Sequence, residues 1–359
     1  MRIILLATAA MSVFPLPLGG QCFDAELRWE VGAPDGAEWE TWMQIIDGLF
    51  LDSALFVLDV RMPALRRFDL SGRFLGRVGG KGGGPGEFAL PRALEESANG
   101  FTVLDQMQRR ITEYDLQGNP VDQTTLSSAP NRAWRVRGGW NVGYHIRPAK
   151  DDTSWVGVWR DESPPDTLIK LENAFVQIRL ATSEKTFIPS IGYVEGVNGG
   201  ASVLGDSALV VVGESSVLRV FEPKGPEWVE TRRDTLPVSP ERFSRSDHGF
   251  VLDIIRAGAE NDPRLVDPEF PEFWPTWTFV QGSSVGVWLK QGGKEGSILG
   301  HYPERWWLWH PDSGAKLGVV LPAGTQAIRF SGNRFVIGKR TDDLDVEVLQ
   351  FFELVRQTR

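Results

Sequence analysis

Three groups of residues in this chain invite a chemical reading by type and spacing: a glycine-rich loop, a pair of repeated aspartates and a scatter of histidines. The loop reads Gly79-Gly80-Lys81-Gly82-Gly83-Gly84-Pro85-Gly86-Glu87-Phe88. A phosphate-binding Walker loop needs Ser or Thr after its Lys and a glycine five positions before Gly80. Gly82 and Leu75 stand there, so the magnesium hydroxyl and the first glycine of the nest are both missing. Gly84 to Ala89 loosely fits a dinucleotide pattern, but Pro91 forbids the helix that would face a pyrophosphate. A loop connecting two β units is the expected role. Asp59 and Asp105 could ligate a cation. Their recurrence points instead to turn caps that accept backbone N–H groups or pair with Arg61 and Arg109. His145, His248, His301 and His310 show no His-x-x-x-His spacing, and no Ser/His/Asp triad can be assembled from spacing alone. Asp342-Asp343-x-Asp345 is rich in oxygen but lacks the glycine and distal glutamate of an EF-hand.

The elements that would position these residues announce themselves as a repeat. Val57-Leu58-Asp59 recurs as Val103-Leu104-Asp105, and Phe68-Asp69-Leu70-Ser71-Gly72 recurs as Tyr114-Asp115-Leu116-Gln117-Gly118. Within each unit an apolar strand ends at Asp, a polar loop follows, and a second strand leads into a turn whose Gly supplies positive φ. Fainter copies begin at Ala208, Val285 and Arg334. Repeats of about 40–50 residues with several short strands are the mark of a β-propeller. Units fall near 41–80, 88–126, 131–190, 197–235, 272–322 and 324–355, with extra material around Asp151 to Leu171 blurring the third. A seventh blade within 145–190 is the competing count. Ser239-Pro240-Glu241-Arg242 opens like a capped helix, which predicts a helical insertion over about 239–260.

These landmarks carry a family resemblance. The glycines before Gly86-Glu87-Phe88-Ala89-Leu90-Pro91, the Val-Leu-Asp strands and the Phe/Tyr-Asp-x-x-Gly turns resemble NHL-repeat blades, most clearly over residues 41–126. The resemblance implies an exported bacterial six-bladed propeller of four-stranded antiparallel blades. Some NHL-related enzymes hold zinc with histidines, and this chain has too few suitably placed to carry that site over. Propellers of the gluconolactonase and paraoxonase type hold calcium along the channel with Glu, Asn and Asp. Glu195 and Asn198 are the nearest counterparts here.

Composition narrows the partners. With 38 Lys+Arg against 47 Asp+Glu the formal charge is −9, which disfavours nucleic acid. One Cys excludes an intrachain disulfide and any Cys-cluster metal site. The 39 Gly and 14 Trp suit turns and packing between blades. Met1 to Gly20 reads as an export leader, with Arg2 before an uncharged apolar run, and no later stretch is apolar enough to span a membrane. Cys22 stands where a bacterial lipoprotein carries its lipid. Gln21 replaces the small residue such signals use, so a free thiol is expected and lipid anchoring is the alternative.

The expectation is a single propeller over 21–359, periplasmic or extracellular and monomeric. It binds a peptide, glycan or envelope protein at the channel mouth and needs no cofactor. Residues at the starts of inner strands should face that mouth: Trp42, Arg92, Arg132, Trp134, Trp277 and Arg329. An alternative role for the arginines is to pair with Glu95, Glu96 or other channel carboxylates and fill the pore. A calcium-dependent hydrolase or lyase and a structural envelope subunit are the other functional readings. Elemental analysis separates the first of these. A lactonase-like enzyme should purify with about one calcium per chain and lose activity on chelation, whereas metal-free protein removes that reading.

Overall fold

The computed structural model describes residues 22–147, 153–160, 163–172, 177–180, 183–187, 200–249 except 206, 214 and 215, 265–269, 272–293, 302–342, 344 and 346–357. The leader Met1 to Gly20, Glu195, Asn198, Asp343, Asp345 and His301 lie outside these residues. Six four-stranded antiparallel sheets form the blades of a propeller. Five are continuous in sequence: 45–78, 91–125, 132–172, 200–235 and 277–321. The sixth combines three strands from 326–356 with Phe23–Val31, which pairs antiparallel to Glu347–Arg356 and closes the ring. Among the described residues no helix is long and apolar enough to cross a membrane.

Each blade buries both faces against its neighbours, so the apolar core is divided into wedges. The first and second blades share Leu49, Phe56 and Leu65 with Leu94, Phe101 and Tyr114. Fifth and sixth share Trp288, Trp306 and Val319 with Phe330, Val336 and Phe352. The abundant Trp is used here: Trp288 stacks on Phe330 at 4.2 Å between ring centroids. The contact between second and third blades is thinner, built on Ala93, Leu104, Ile111, Leu126, Ala133 and Trp159.

The repeated aspartates are caps. Asp59 accepts from the amides of Met43 (2.9 Å), Gln44, Arg61 and Met62, and so ties the start of the inner strand to the loop that follows the second strand. Asp105 does the same for Ala89, Leu90 and Gln108. Asp69 and Asp115 organise the outer turns, where Gly72 and Gly118 take φ of 86° and 92° as the turn chemistry requires. The glycine-rich loop is a blade connection. The Arg110 guanidinium donates to the carbonyls of Gly83 (3.3 Å), Gly84 (3.0 Å) and Glu87 and pins it down.

Two expectations need correction, and the competing seven-blade count falls away. Residues 153–160 and 166–172 are not extra material but the two outer strands of the third blade. The surplus strands, Gln177–Leu180 and Ser183–Phe187, pair instead with Leu265–Glu269 in a separate three-stranded sheet, so they form no seventh blade. Within the expected insertion the described helical residues are 245–249, so the helix does not start at Ser239. Residues before Ser244 are held extended, because the Trp274 amide donates to the Glu241 carbonyl and Arg242 bridges Phe273. Ser244 then caps the turn reciprocally with Asp247. The rest of the expected insertion lies outside the described residues.

Two predictions follow from closure and capping. Trp29 of the closing strand stacks on Phe351 at 4.9 Å and donates to the Leu70 carbonyl, so Trp29→Ala should cost about 3 kcal/mol in urea unfolding. The Ser71 hydroxyl, with Arg73, holds the Asp69 carboxyl at about 2, and hydrogen bonds from Arg233 and Arg219 hold Glu230 there too. A depressed folded value means stability that is present above the ordinary carboxylate range and lost as pH falls toward 2. Asp69→Asn should therefore flatten the loss of stability between about pH 4 and pH 2. An unchanged slope would show that the turn does not carry it.

Candidate functional site

Antiparallel order gives the ring two distinct faces. All six inner strands start at one face, called upper here, together with the loops after each second strand. They end at the lower face in tight turns to the second strand. Midway down the channel four inner strands contribute charge. Asp47, at 0% exposure, receives the Arg329 guanidinium at 3.0 Å and the amides of Gly48 (2.8 Å) and Leu94 (3.0 Å). Arg329 also donates to the carbonyls of Gly48 and Leu94 and pairs with Glu95 at 3.1 Å. Arg132 pairs with Glu95 at 3.1 Å and lies 3.6 Å from Asp47, with its guanidinium over the Phe279 ring. Two cations and two anions from the first, second, third and sixth blades thus form a neutral cluster. Burial opposes the charge on Arg329, but Asp47 and Glu95 outweigh it, and its pKa lies above the ordinary arginine value.

Below this cluster lies a cavity of about 640 Å³, within the range of small-ligand pockets. Glu95 and Arg329 close its inner end, while Phe50, Trp134 and Phe330 supply aromatic wall. Ser97, Thr102, Ser283, Ser284 and Ser331 add hydroxyls. Glu113 accepts from Ser97 at 3.1 Å and pairs with Arg135 at 3.4 Å, so this charge is also matched. Gln281 braces the wall by exchanging two 2.9 Å hydrogen bonds with the Phe330 backbone. Gly282-Ser283-Ser284-Val285-Gly286 matches the letters of a nucleophile elbow, a match the sequence reading missed. It sits in a strand–turn–strand hairpin rather than a strand-to-helix turn, and no His lines the cavity beside it.

The expected ligand residues divide. Arg132, Trp134 and Arg329 converge on the channel, with both arginines committed to carboxylates as the alternative reading held. Trp42 is buried between blades, donates to the Val31 carbonyl and carries Arg66 over its ring at 4.0 Å. Trp277 is fully buried and donates to Ser216. Neither faces a mouth. Trp42 lies in the connection before the inner strand Ile45–Leu51 rather than on it, and for Trp277 a bulge at Trp277/Phe279, matched at Ile45/Asp47 and Pro91/Ala93, shifts which side chains of the strand point inward. Arg92 remains at the upper face with its Nε on Gln106.

Asp47 and Gln281 were missed, although an Asp inside Ile45-Ile46-Asp47-Gly48-Leu49 is a signal, since a charge in an apolar strand needs a buried partner. Asp342 accepts from the amides of Leu344 and Val346, which makes it a turn cap like Asp69. Among the described residues no three His, Cys, Asp or Glu side chains converge on a metal-sized point.

A family model described as a 6-bladed beta-propeller, DUF5128, matches residues 43–158. No curated protein matches by sequence. Among solved structures the chain is similar to a DUF4221 member from Bacteroides vulgatus, at 9% identity and TM-score 0.47, covering 94% of this chain and 99% of that one. It is similar to a calcium-binding protein, regucalcin, from Agrobacterium tumefaciens, at 8% and 0.44, covering 95% and 98%. It is also similar to AztD from Citrobacter koseri, at 9% and 0.39, covering 90% and 77%.

The cluster makes a stability prediction. Arg132→Ala leaves Glu95 with a single cationic partner and should cost about 1–3 kcal/mol in urea unfolding. A loss below a few tenths would mean that the pair is solvated and the channel open.

Proposed function

We propose that this chain is an exported, NHL-like propeller acting as a binding module, and that its lower cavity holds a neutral, hydroxyl-bearing segment of a glycan. The observation that carries the reading is the matched charge at the inner end of the cavity. Glu95 is paired by Arg132 and Arg329, and Glu113 by Arg135, so an ionic ligand reaching that end would have to displace an existing partner, while the exposed Glu96 and Arg137 on the lining are opposite in sign. What remains for a ligand is the half-buried Phe50 with the edges of the buried Trp134 and Phe330, serine and threonine hydroxyls, and carboxylate lone pairs that can accept from sugar hydroxyls. Ala98 stands exposed on the rim, in the turn after the second blade's inner strand. The leader Met1 to Gly20 supports export, where such ligands are found.

A panel of neutral oligosaccharides, titrated by calorimetry against the mature protein, tests this reading. Binding should be present in the wild type and lost in Ala98→Trp, which fills the rim without altering the core. Binding that survives Ala98→Trp, or a panel that is wholly inert, would contradict the assignment.

A further inference from the structure

The upper face has chemistry that the cavity reading does not use. Two aspartate caps present equivalent loops on adjacent blades. Asp59 clamps Met43 and Gln44 to Arg61, and the Val60 amide donates to the Gln44 carbonyl at 3.0 Å. Asp105 clamps Ala89 and Leu90 to Gln108, and the Gln106 amide donates to the Leu90 carbonyl, also at 3.0 Å. Each clamp leaves one methionine and one arginine outside: Met43 with Arg61, and Met107 with Arg109. The methionines are 61% and 67% exposed, among the most exposed large apolar side chains described, and both arginines are exposed. Arg109 takes φ of 49°, a left-handed conformation uncommon for arginine and one that the fixed loop imposes.

The charge of this patch opposes that of the whole chain. Arg61, Arg92, Arg109 and Lys81 lie on the connections and strand starts of the first two blades, in a protein of net charge −9. The carboxylates nearby are engaged in hydrogen bonds or ion pairs, apart from the exposed Asp35 in the connection before the first blade. Asp59 and Asp105 are buried in their clamps, and Glu87 turns back to accept from the Gly84 amide at 2.8 Å. In the connection before the first blade, Glu38 pairs with Arg77 and Glu40 accepts from the Ala37 amide. The arginines are pre-oriented as well: the Nε of Arg61 is on Gln44 and that of Arg92 on Gln106, each at 3.2 Å, which leaves the bidentate ends of the guanidiniums for a ligand.

We propose that the upper face of the first and second blades docks an acidic peptide segment of a partner protein, one that alternates carboxylates with apolar side chains. The carboxylates meet Arg61, Arg92 and Arg109. The apolar side chains lie on Met43 and Met107, whose unbranched thioethers adapt to varied shapes. The proposal is independent of the cavity, because the two sites lie on opposite faces of the ring.

Fluorescein-labelled dodecapeptides read by anisotropy provide the test. The probes are alternating Glu-Leu, with Glu-Ser and Lys-Leu as controls. Glu-Leu should bind tightest, and its affinity should fall as salt is raised. Arg61→Glu/Arg109→Glu and Met43→Ser/Met107→Ser should each weaken it at least about tenfold. Ala98→Trp at the opposite face should leave it unchanged. Far-ultraviolet circular dichroism checks that the surface variants remain folded. Equal binding of Glu-Leu and Lys-Leu, indifference to both double variants, no binding of any probe, or loss of binding in Ala98→Trp would each overturn the proposal.

Discussion

The buried pairing of Asp47 with Arg329 is the constraint on which this channel depends. A propeller grows by adding blades around an axis, so its inner strands meet where no single apolar core can form. Asp47 arrives from the first blade and Arg329 from the sixth, and the aspartate also accepts the Leu94 amide of the second. Glu95 extends the network to Arg132 of the third blade. Removing either member of the central pair would leave the remaining cluster with one unmatched charge in a largely solvent-excluded site, and that penalty exceeds the net worth of the pair itself. The cluster therefore fixes the mutual position of four blades more than it adds stability. It lies between the two faces, each of which carries its own chemistry.

Closure and packing support that centre from outside. Phe23–Val31 completes the sixth blade, so residues near the two ends of the described chain are held in one sheet. The apolar wedges between blades keep the inner strands at the distance the ion pairs need. At the thin wedge between second and third blades, Arg132–Glu95 adds a polar link beside small residues such as Ala93 and Ala133.

Much of the architecture was legible because repetition is visible wherever local turns are specified locally. Asp69-x-x-Gly72 and Asp115-x-x-Gly118 form the same turn from the same residues, and Asp59 and Asp105 cap the same loop. The closing strand was not legible, since Phe23 to Val31 carries no turn landmark and pairs with residues over 300 positions away. The site was legible only in part. Arg132 and Arg329 could be placed on the channel by blade order, but Trp42 falls before the inner strand Ile45–Leu51 rather than on it, and at Trp277 the bulge at Trp277/Phe279 redirects side chains in a way periodicity does not reveal. The lower cavity was missed for another reason: it is formed by strand ends from several blades, which no single repeat contains.

A double-mutant cycle on Asp47→Leu and Arg329→Met, read by urea unfolding, tests the central claim most directly. Each single variant should lose about 3–5 kcal/mol, and the double variant should recover a substantial part of that loss, because no uncompensated charge remains buried. Additive losses, with no coupling between the two positions, would show that the channel is held by the apolar wedges alone and would contradict the account.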